Sequence, residues 1–228
     1  MSTALLFDLD GTLVDSDRDH LRAFQAAFAA HGVTLDKPSY DAHIMGASND
    51  LIGRLFLAHL SHEAREATLA AKEEAYRKGL GDIAPIAGVV ELLDYADRLD
   101  LPRAIVTNAP RANADLVLAS LGLADRFALR VIGHELARPK PDPLPYLTGL
   151  EMTGGIADRS VAFEDSLSGV RAAVAAGLAV VGLMTNLTEK ALTDAGAVLA
   201  VADFRDPRIY ELIETRIGRA AARAVQGA

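Results

Sequence analysis

Short apolar runs recur along the chain at Ala4–Phe7, Arg103–Val106, Leu129–Ile132, Ser160–Phe163, Ala179–Leu183 and Val198–Val201. Each has the length of a strand, and most lack a clean alternation of apolar and polar positions. That pattern predicts strands buried on both faces. Amphipathic helical stretches separate them, at Val89–Leu99, Arg111–Leu121, Leu144–Leu150 and Leu167–Ala176. Strands alternating with helices predict an α/β fold, a doubly wound parallel sheet with helices on both faces. In such sheets, sites form at the carboxyl ends of the strands.

One segment breaks the alternation. Between about Ser16 and Ile83 the periodicity is helical and no strand is evident. Leu21, Phe24, Ala27 and Phe28 make one apolar stripe, Leu51, Leu55 and Leu57 to Leu60 predict a second helix, and Ala64–Leu80 predicts a third. The run IAPIAG, residues 83–88, then supplies a Pro/Gly break. The expected organisation is a core of residues 1–15 and 86–228 with a helical cap of residues 16–85. One continuous mixed domain is the alternative.

Composition narrows the function. The 228-residue chain is 50% hydrophobic, which is ample for a buried core. Cysteine is absent, so no disulfide framework or thiolate site is expected, as suits a reducing cytoplasm. The start, MSTALLFDLD, lacks the basic and long apolar regions of a signal peptide, and no apolar run approaches the roughly 18 residues of a membrane span. A net charge of −8, with 5% aromatic residues and no tryptophan, argues against nucleic-acid binding. An anionic ligand would need local cations, a metal or backbone amides.

Four clusters carry candidate chemistry, each just after a predicted strand. The first is DLDGT, residues 8–12. Residues i and i+2 of an extended chain point the same way, so Asp8 and Asp10 reach one site together. Adjacent carboxylates repel unless a cation lies between them or one keeps its proton. The second is IVTNAP, residues 105–110, where Thr107 and Asn108 either grip an anion or cap the next helix. The third is Lys140, stiffened by Pro139 and Pro141, which either offsets phosphoryl charge or is solvated in a turn. The fourth is FEDSLSG, residues 163–169, where Glu164 and Asp165 make a hard-oxygen site suited to Mg²⁺, or Asp165 or Ser166 caps a helix.

Taken together, in this order, the clusters resemble the four motifs of the haloacid dehalogenase superfamily. The resemblance spans nearly the whole chain, and the helical insert resembles the cap of the subfamily that includes β-phosphoglucomutase, phosphoglycolate phosphatase and sugar phosphatases. It implies a Rossmann-like core. It further implies that Asp8 is the nucleophile and Asp10 the general acid and base, with Thr107, Asn108 and Lys140 holding the phosphoryl oxygens. Mg²⁺ would be bound by Asp8, the Asp10 carbonyl and Asp165, with Glu164 reaching it directly or through water. The presence of Asp10 argues against dehalogenation, which needs no protonated leaving group.

On the cap, the resemblance marks His20, Asn49 and Lys72. A surface helix residue is the alternative for His20, and a solvated lysine paired with Glu73 or Glu74 for Lys72. Asn49 stands where the mutase has an arginine for a distal phosphate, which disfavours the mutase. The expected function is a Mg²⁺-dependent phosphatase of a small phosphorylated metabolite, a sugar phosphate or phosphoglycolate. A phosphosugar mutase and a non-catalytic binding module are the alternatives. No nucleic-acid or membrane partner is expected, and the chain is expected to be a monomer or weak dimer. The C-terminal RIGRAAARAVQGA, residues 216–228, reads as a basic helix end with a frayed tail.

Overall fold

The computed structural model describes residues 2–218, so most of the expected C-terminal tail, from residue 219, lies outside the described residues. Six parallel strands form one sheet: β1 (Leu5–Phe7), β2 (Arg103–Thr107), β3 (Arg130–Ile132), β4 (Val161–Glu164), β5 (Ala179–Leu183) and β6 (Leu199–Val201). Their order is β3-β2-β1-β4-β5-β6. The chain therefore builds outward from β1 in one direction and then returns to build from β4 in the other. The switch falls between β1 and β4, and a crevice opens there at the carboxyl ends of the strands.

Each predicted strand is present, with no end shifted by more than one residue and the fifth, Ala179–Leu183, unchanged. Two shifts matter. β2 runs on to Thr107, and β4 runs on to Glu164, which makes Glu164 a strand residue. The strands carry apolar side chains on both faces. Leu5, Phe7, Ile105 and Phe163 belong to one buried cluster, and Leu6, Ala104, Val106 and Ala162 to the other. Period-two alternation divides them, as expected for a sheet covered on both sides. Phe7 stacks on Phe163 with ring centroids 4.6 Å apart and packs edge-on against Phe127 at 5.5 Å.

The covering helices are α5 (Val89–Arg98), α6 (Arg111–Ser120), α7 (Leu144–Thr153), α8 (Leu167–Ala175), α9 (Glu189–Asp194) and α10 (Pro207–Ile217). The helical insert precedes them, as α1 (Asp17–Ala29), α2 (Lys37–His43), α3 (Asn49–Phe56) and α4 (His62–Gly79). It has its own apolar cluster, which includes Phe24, Phe28, Tyr40, Ile52 and Leu69. Its two connections to the sheet are tied together by a bridge between Val14 and Pro85 and by the Ile86 amide donating to the Leu13 carbonyl at 2.8 Å.

Two details of the insert depart from expectation. The second helix stops at Phe56, so Leu57–Leu60 is a turn; Leu57 is buried in the insert's cluster and Ser61 caps α4. Helix α2 was not anticipated. It has only seven residues, too few to show a period, and is started by Asp36 accepting from the Ser39 amide, with Pro38 in its first turn.

The stacked phenylalanines hold the two central strands in register. Phe163→Ala is expected to cost about 3–5 kcal/mol, measured by urea denaturation. Val198, 58% exposed, is the control; Val198→Ser should stay within about 0.5 kcal/mol.

Candidate active site

The carboxyl ends of β1 and β4 meet at a buried lysine. Lys140 Nζ lies 2.7 Å from Asp8 Oδ1 and 2.6 Å from Glu164 Oε1, and its side chain is 2% exposed. Asp8 immediately follows β1, and Glu164 ends β4. The same Glu164 oxygen accepts from the Tyr146 hydroxyl at 2.8 Å, and Oε2 accepts from the Ser166 hydroxyl at 3.1 Å. A Cβ on Gly169 would fall 1.7 Å from Glu164 Oε1, so glycine is needed there for the carboxylate to lie against α8. Lys140 is thus no solvated turn residue.

Asn108 fixes the backbone that carries Lys140. Its Oδ1 accepts from the Lys140 amide at 3.2 Å, and its Nδ2 donates to the Lys140 carbonyl at 3.1 Å. The same Nδ2 reaches the Gly46 carbonyl of the insert at 3.0 Å. Thr107 Oγ1 accepts from the Ala109 amide at 3.0 Å. Neither residue caps α6, whose N-cap is Pro110, with no side-chain bond. At α8, by contrast, Ser166 does cap, accepting from the Gly169 amide at 3.0 Å.

Asp165 faces Asp8 across the crevice. Thr12 donates to its Oδ1 at 3.1 Å. Gly11 has φ +79°, and a Cβ there would lie 2.1 Å from Asp165 Oδ2, so only glycine suits this turn. Ligand oxygens of Asp8, Glu164 and Asp165 all lie within 4.8 Å of one another. Both Glu164 oxygens already accept from the chain, which leaves Asp8 and Asp165 as the pair open to a cation.

The charge balance shows that a cation fits. Burial, the Glu164 charge and the Asp10 charge push the Asp8 carboxyl up to about 8, although Lys140 pulls the other way. Burial, then the charges of Asp8 and Glu164, push Asp165 well above the carboxylate range. Three buried carboxylates thus share one lysine. A hard divalent ion would supply the missing positive charge through oxygen ligands of the type present here.

Asp10 is served from the insert. Ser16 leaves its own helix uncapped and donates to Asp10 Oδ1 at 2.6 Å. His20 Nε2 lies 3.4 Å from the same oxygen. Its Nδ1 faces Lys72 Nζ at 3.0 Å. An ammonium only donates, so Nδ1 accepts and Nε2 carries the proton that points to Asp10. Burial would raise the Asp10 pKa, but His20, Ser16 and the Lys72 charge together hold it below the usual value. The His20 ring stacks on Tyr76 at 3.9 Å, so it is no loose surface residue.

Lys72 is 2% exposed and donates to both Glu73 oxygens at 3.1 and 3.2 Å. Glu74 pairs with Lys78 instead. Glu73 also accepts from Asn49 at 2.8 Å and from Asn113 of α6 at 2.6 Å. The crevice between sheet and insert, a cavity of about 80 Å³, is lined by Asp8, Asp10, His20, Asn49, Lys72, Thr107, Asn108, Lys140 and Asp165, together with others. All the residues marked from sequence therefore line it except Glu164, which lies behind Lys140. Sequence reasoning missed Glu73, Asn113, Tyr146 and Ser16. Glu73 and Asn113 sit in polar helical stretches that read as solvent-facing, and only the fold shows them buried.

The fold and the site together define an α/β enzyme whose buried acidic centre could hold a cation. The family follows from comparison: residues 3–177 match the model of the haloacid dehalogenase-like hydrolases, and the chain belongs to that family. It is 30% identical over 213 residues to validoxylamine A 7'-phosphate phosphatase of Streptomyces hygroscopicus subsp. limoneus, covering 92% of this chain and 99% of the relative. It is 37% identical over 225 residues to the plasmid protein CbbY of Cupriavidus necator, covering 90% and 86%. Among solved structures, CbbY (mutant D10N) from Rhodobacter sphaeroides in complex with xylulose-(1,5)bisphosphate superposes with a TM-score of 0.77 at 30% identity, covering 90% of this chain and 96% of that one. The chain is accordingly a phosphoric monoester hydrolase of the family.

The raised acids give a stability signature. Between pH 3.8 and about 8 the folded chain keeps the Asp8 proton that the unfolded chain has lost. Folding is then weakened as pH rises through this window. In chelator, the melting temperature should fall from pH 5 to 8. Millimolar Mg²⁺ should flatten that slope, since the bound ion takes the place of the protons. Calorimetric scans across the two series test this; equal slopes would count against a cation site at Asp8 and Asp165.

Proposed function

We propose that the chain is a Mg²⁺-dependent phosphatase of a small phosphorylated metabolite, working through an aspartyl phosphate, with residues 16–85 as a cap over the core. The observation that carries this reading is the Asp8–Lys140–Glu164 contact at the switch point of the sheet, with Asp10 under separate control from the insert. Two carboxylates two residues apart are thereby given different partners and different proton affinities. That division suits one to be a nucleophile and the other to move protons.

In this reading an Asp8 oxygen attacks phosphorus, and the bond from phosphorus to the ester oxygen breaks. The leaving oxygen takes a proton from Asp10. Asp10 starts as a carboxylate; the approach of a phosphoryl dianion raises its proton affinity, it takes that proton from solvent, and in later turnovers it holds the proton left by the hydrolytic water. Water then attacks the aspartyl phosphate and gives its proton to Asp10, releasing inorganic phosphate and restoring Asp8. Lys140, Thr107 and the backbone at Asn108 meet the phosphoryl oxygens, where charge builds in the transition state. Glu164 keeps Lys140 aimed. A Mg²⁺ ion held by Asp8 and Asp165 would supply positive charge that lets an anion approach an anion. The small cavity suits a phosphoryl group and the atoms next to it, so the rest of the substrate meets the insert. The relatives named for phosphorylated carbohydrates, phosphoglycolate and validoxylamine A 7'-phosphate support a small phosphorylated substrate.

Hydrolysis of 4-nitrophenyl phosphate tests this reading. Turnover should require Mg²⁺ and stop with chelator. Asp8→Asn should abolish it, and Asp10→Asn should lower it by about 10²–10⁴-fold, the usual range for a general acid–base group. Turnover unaffected by Asp8→Asn would refute the covalent route.

A further inference from the structure

Resting on the phosphatase reading, we infer that the substrate is the monophosphate of an uncharged, hydroxyl-bearing molecule, and that Asn49, oriented by Glu73, is the residue that selects it. The juxtaposition is of two ends of one crevice. At the core end, Lys140 and a cation held by the carboxylates of Asp8 and Asp165 would meet a phosphoryl group. At the insert end of the inner cavity, the lysine, Lys72, is already spent within the protein.

Lys72 has three N–H donors. Two go to the Glu73 oxygens and the third faces His20 Nδ1. Its Nζ lies 3.8 Å from the Phe24 ring centroid, which closes the remaining side. Among the described residues, no arginine lines the inner cavity. The acids there include Asp17 as well as Glu73. Asp17 accepts from the Tyr40 hydroxyl at 2.8 Å. Within the inner cavity this end has no cation left over for a second phosphate or a carboxylate, and a buried anion without a partner is strongly disfavoured.

Asn49 is what remains. Glu73 accepts two donors on each oxygen, from Asn49 and Lys72 on one and from Asn113 and Lys72 on the other. A carboxylate only accepts, so the Asn49 amide must turn its Nδ2 toward Glu73. Its Oδ1 is then left for a ligand, and among the described residues no group donates to it. A carbonyl oxygen welcomes a hydroxyl and repels an anion. Half-buried at the start of α3, Asn49 also lines a wider groove of about 580 Å³ that continues outward past Glu73. Arg77 lies in that groove, held at 2.7 Å by the neutral Asn113 Oδ1, and its single charge is outnumbered there by Asp50, Glu66 and Glu73. A longer polyol therefore has room, while a distal anion meets a net negative wall.

The test is a comparison of kcat/KM for matched pairs: fructose 6-phosphate against fructose 1,6-bisphosphate, and glycerol 3-phosphate against 2-phosphoglycolate. The member whose only charge is the phosphate to be cleaved should lead each pair by at least about tenfold, the worth of one buried hydrogen bond or charge mismatch. Asn49→Ala should shrink the lead by raising KM for the polyol phosphate, and Asn49→Arg should shift the ratio about tenfold or more toward the anionic member. Equal or better turnover of the anionic members would overturn the inference, as would a ratio untouched by both Asn49 variants. Asp8-dependent hydrolysis of 4-nitrophenyl phosphate is the separate check on the phosphatase reading. Should that fail, calorimetric binding of the fructose pair to the wild-type protein still decides, and tighter binding of the bisphosphate would defeat the inference by itself.

Discussion

The arrangement depends on one buried cation. Lys140 sits between Asp8 and Glu164, on chain segments 132 and 24 residues away. Taking three charged groups from water costs several kcal/mol for each, and the attraction repays that only when the geometry is good and every remaining valence is used. Here it is used: Tyr146 and Ser166 complete Glu164, and Asn108 holds the amide and carbonyl of Lys140. The negative excess that is left over falls on Asp8 and Asp165. Three carboxylates around one lysine leave the site two negative charges from neutral, which suits it to receive a divalent metal, and a phosphoryl group after it.

A second charged system of the same kind lies across the crevice, in the insert. Lys72 is as buried as Lys140, and Glu73 and His20 saturate it. The two systems touch through Asp10, which belongs to the core by sequence but takes its hydrogen bonds from Ser16 and His20. They also touch through Asn113 and Asn108, core residues that reach Glu73 and the Gly46 carbonyl. Gly46 has φ +71°, and a Cβ on it would lie 2.5 Å from Ser166 Oγ, so insert and core meet here backbone to side chain. The proton affinity of Asp10 is therefore a property of how the insert sits on the core.

This division explains which parts were legible in the sequence. The strands were readable because burial on both faces leaves apolar runs with no competing period. Asp8, Asp10, Glu164 and Asp165 were readable because each follows such a run directly, and the sheet topology does the rest. Lys140 was placed by resemblance and its flanking prolines, while its two carboxylate partners lie too far along the chain for any local pattern to show. The insert was harder. AAKEEAYRKGL reads as a solvated helix, yet Lys72, Glu73 and Tyr76 point inward and Glu74 and Lys78 outward. Four charged residues of one helix cannot be sorted into buried and exposed without knowing what the helix packs against. Asn113 poses the same problem on α6, and the seven-residue α2 is too short to carry a period.

The two ends of the crevice answer different physical demands. Phosphoryl transfer needs positive charge where the anion arrives, and in the proposed function a cation held by Asp8 and Asp165 beside Lys140 would supply it. Inside the crevice the insert spends the Lys72 charge internally, and that leaves the Asn49 amide as its proposed contact group. A neutral amide discriminates by what it refuses: an anion brought to Asn49 Oδ1 loses its water and gains no cation, whereas a hydroxyl exchanges one hydrogen bond for another at little cost. Discrimination of that kind needs no movement of the catalytic groups. The insert can thus set the substrate through Asn49 and Glu73 while leaving the geometry at Asp8 to the sheet.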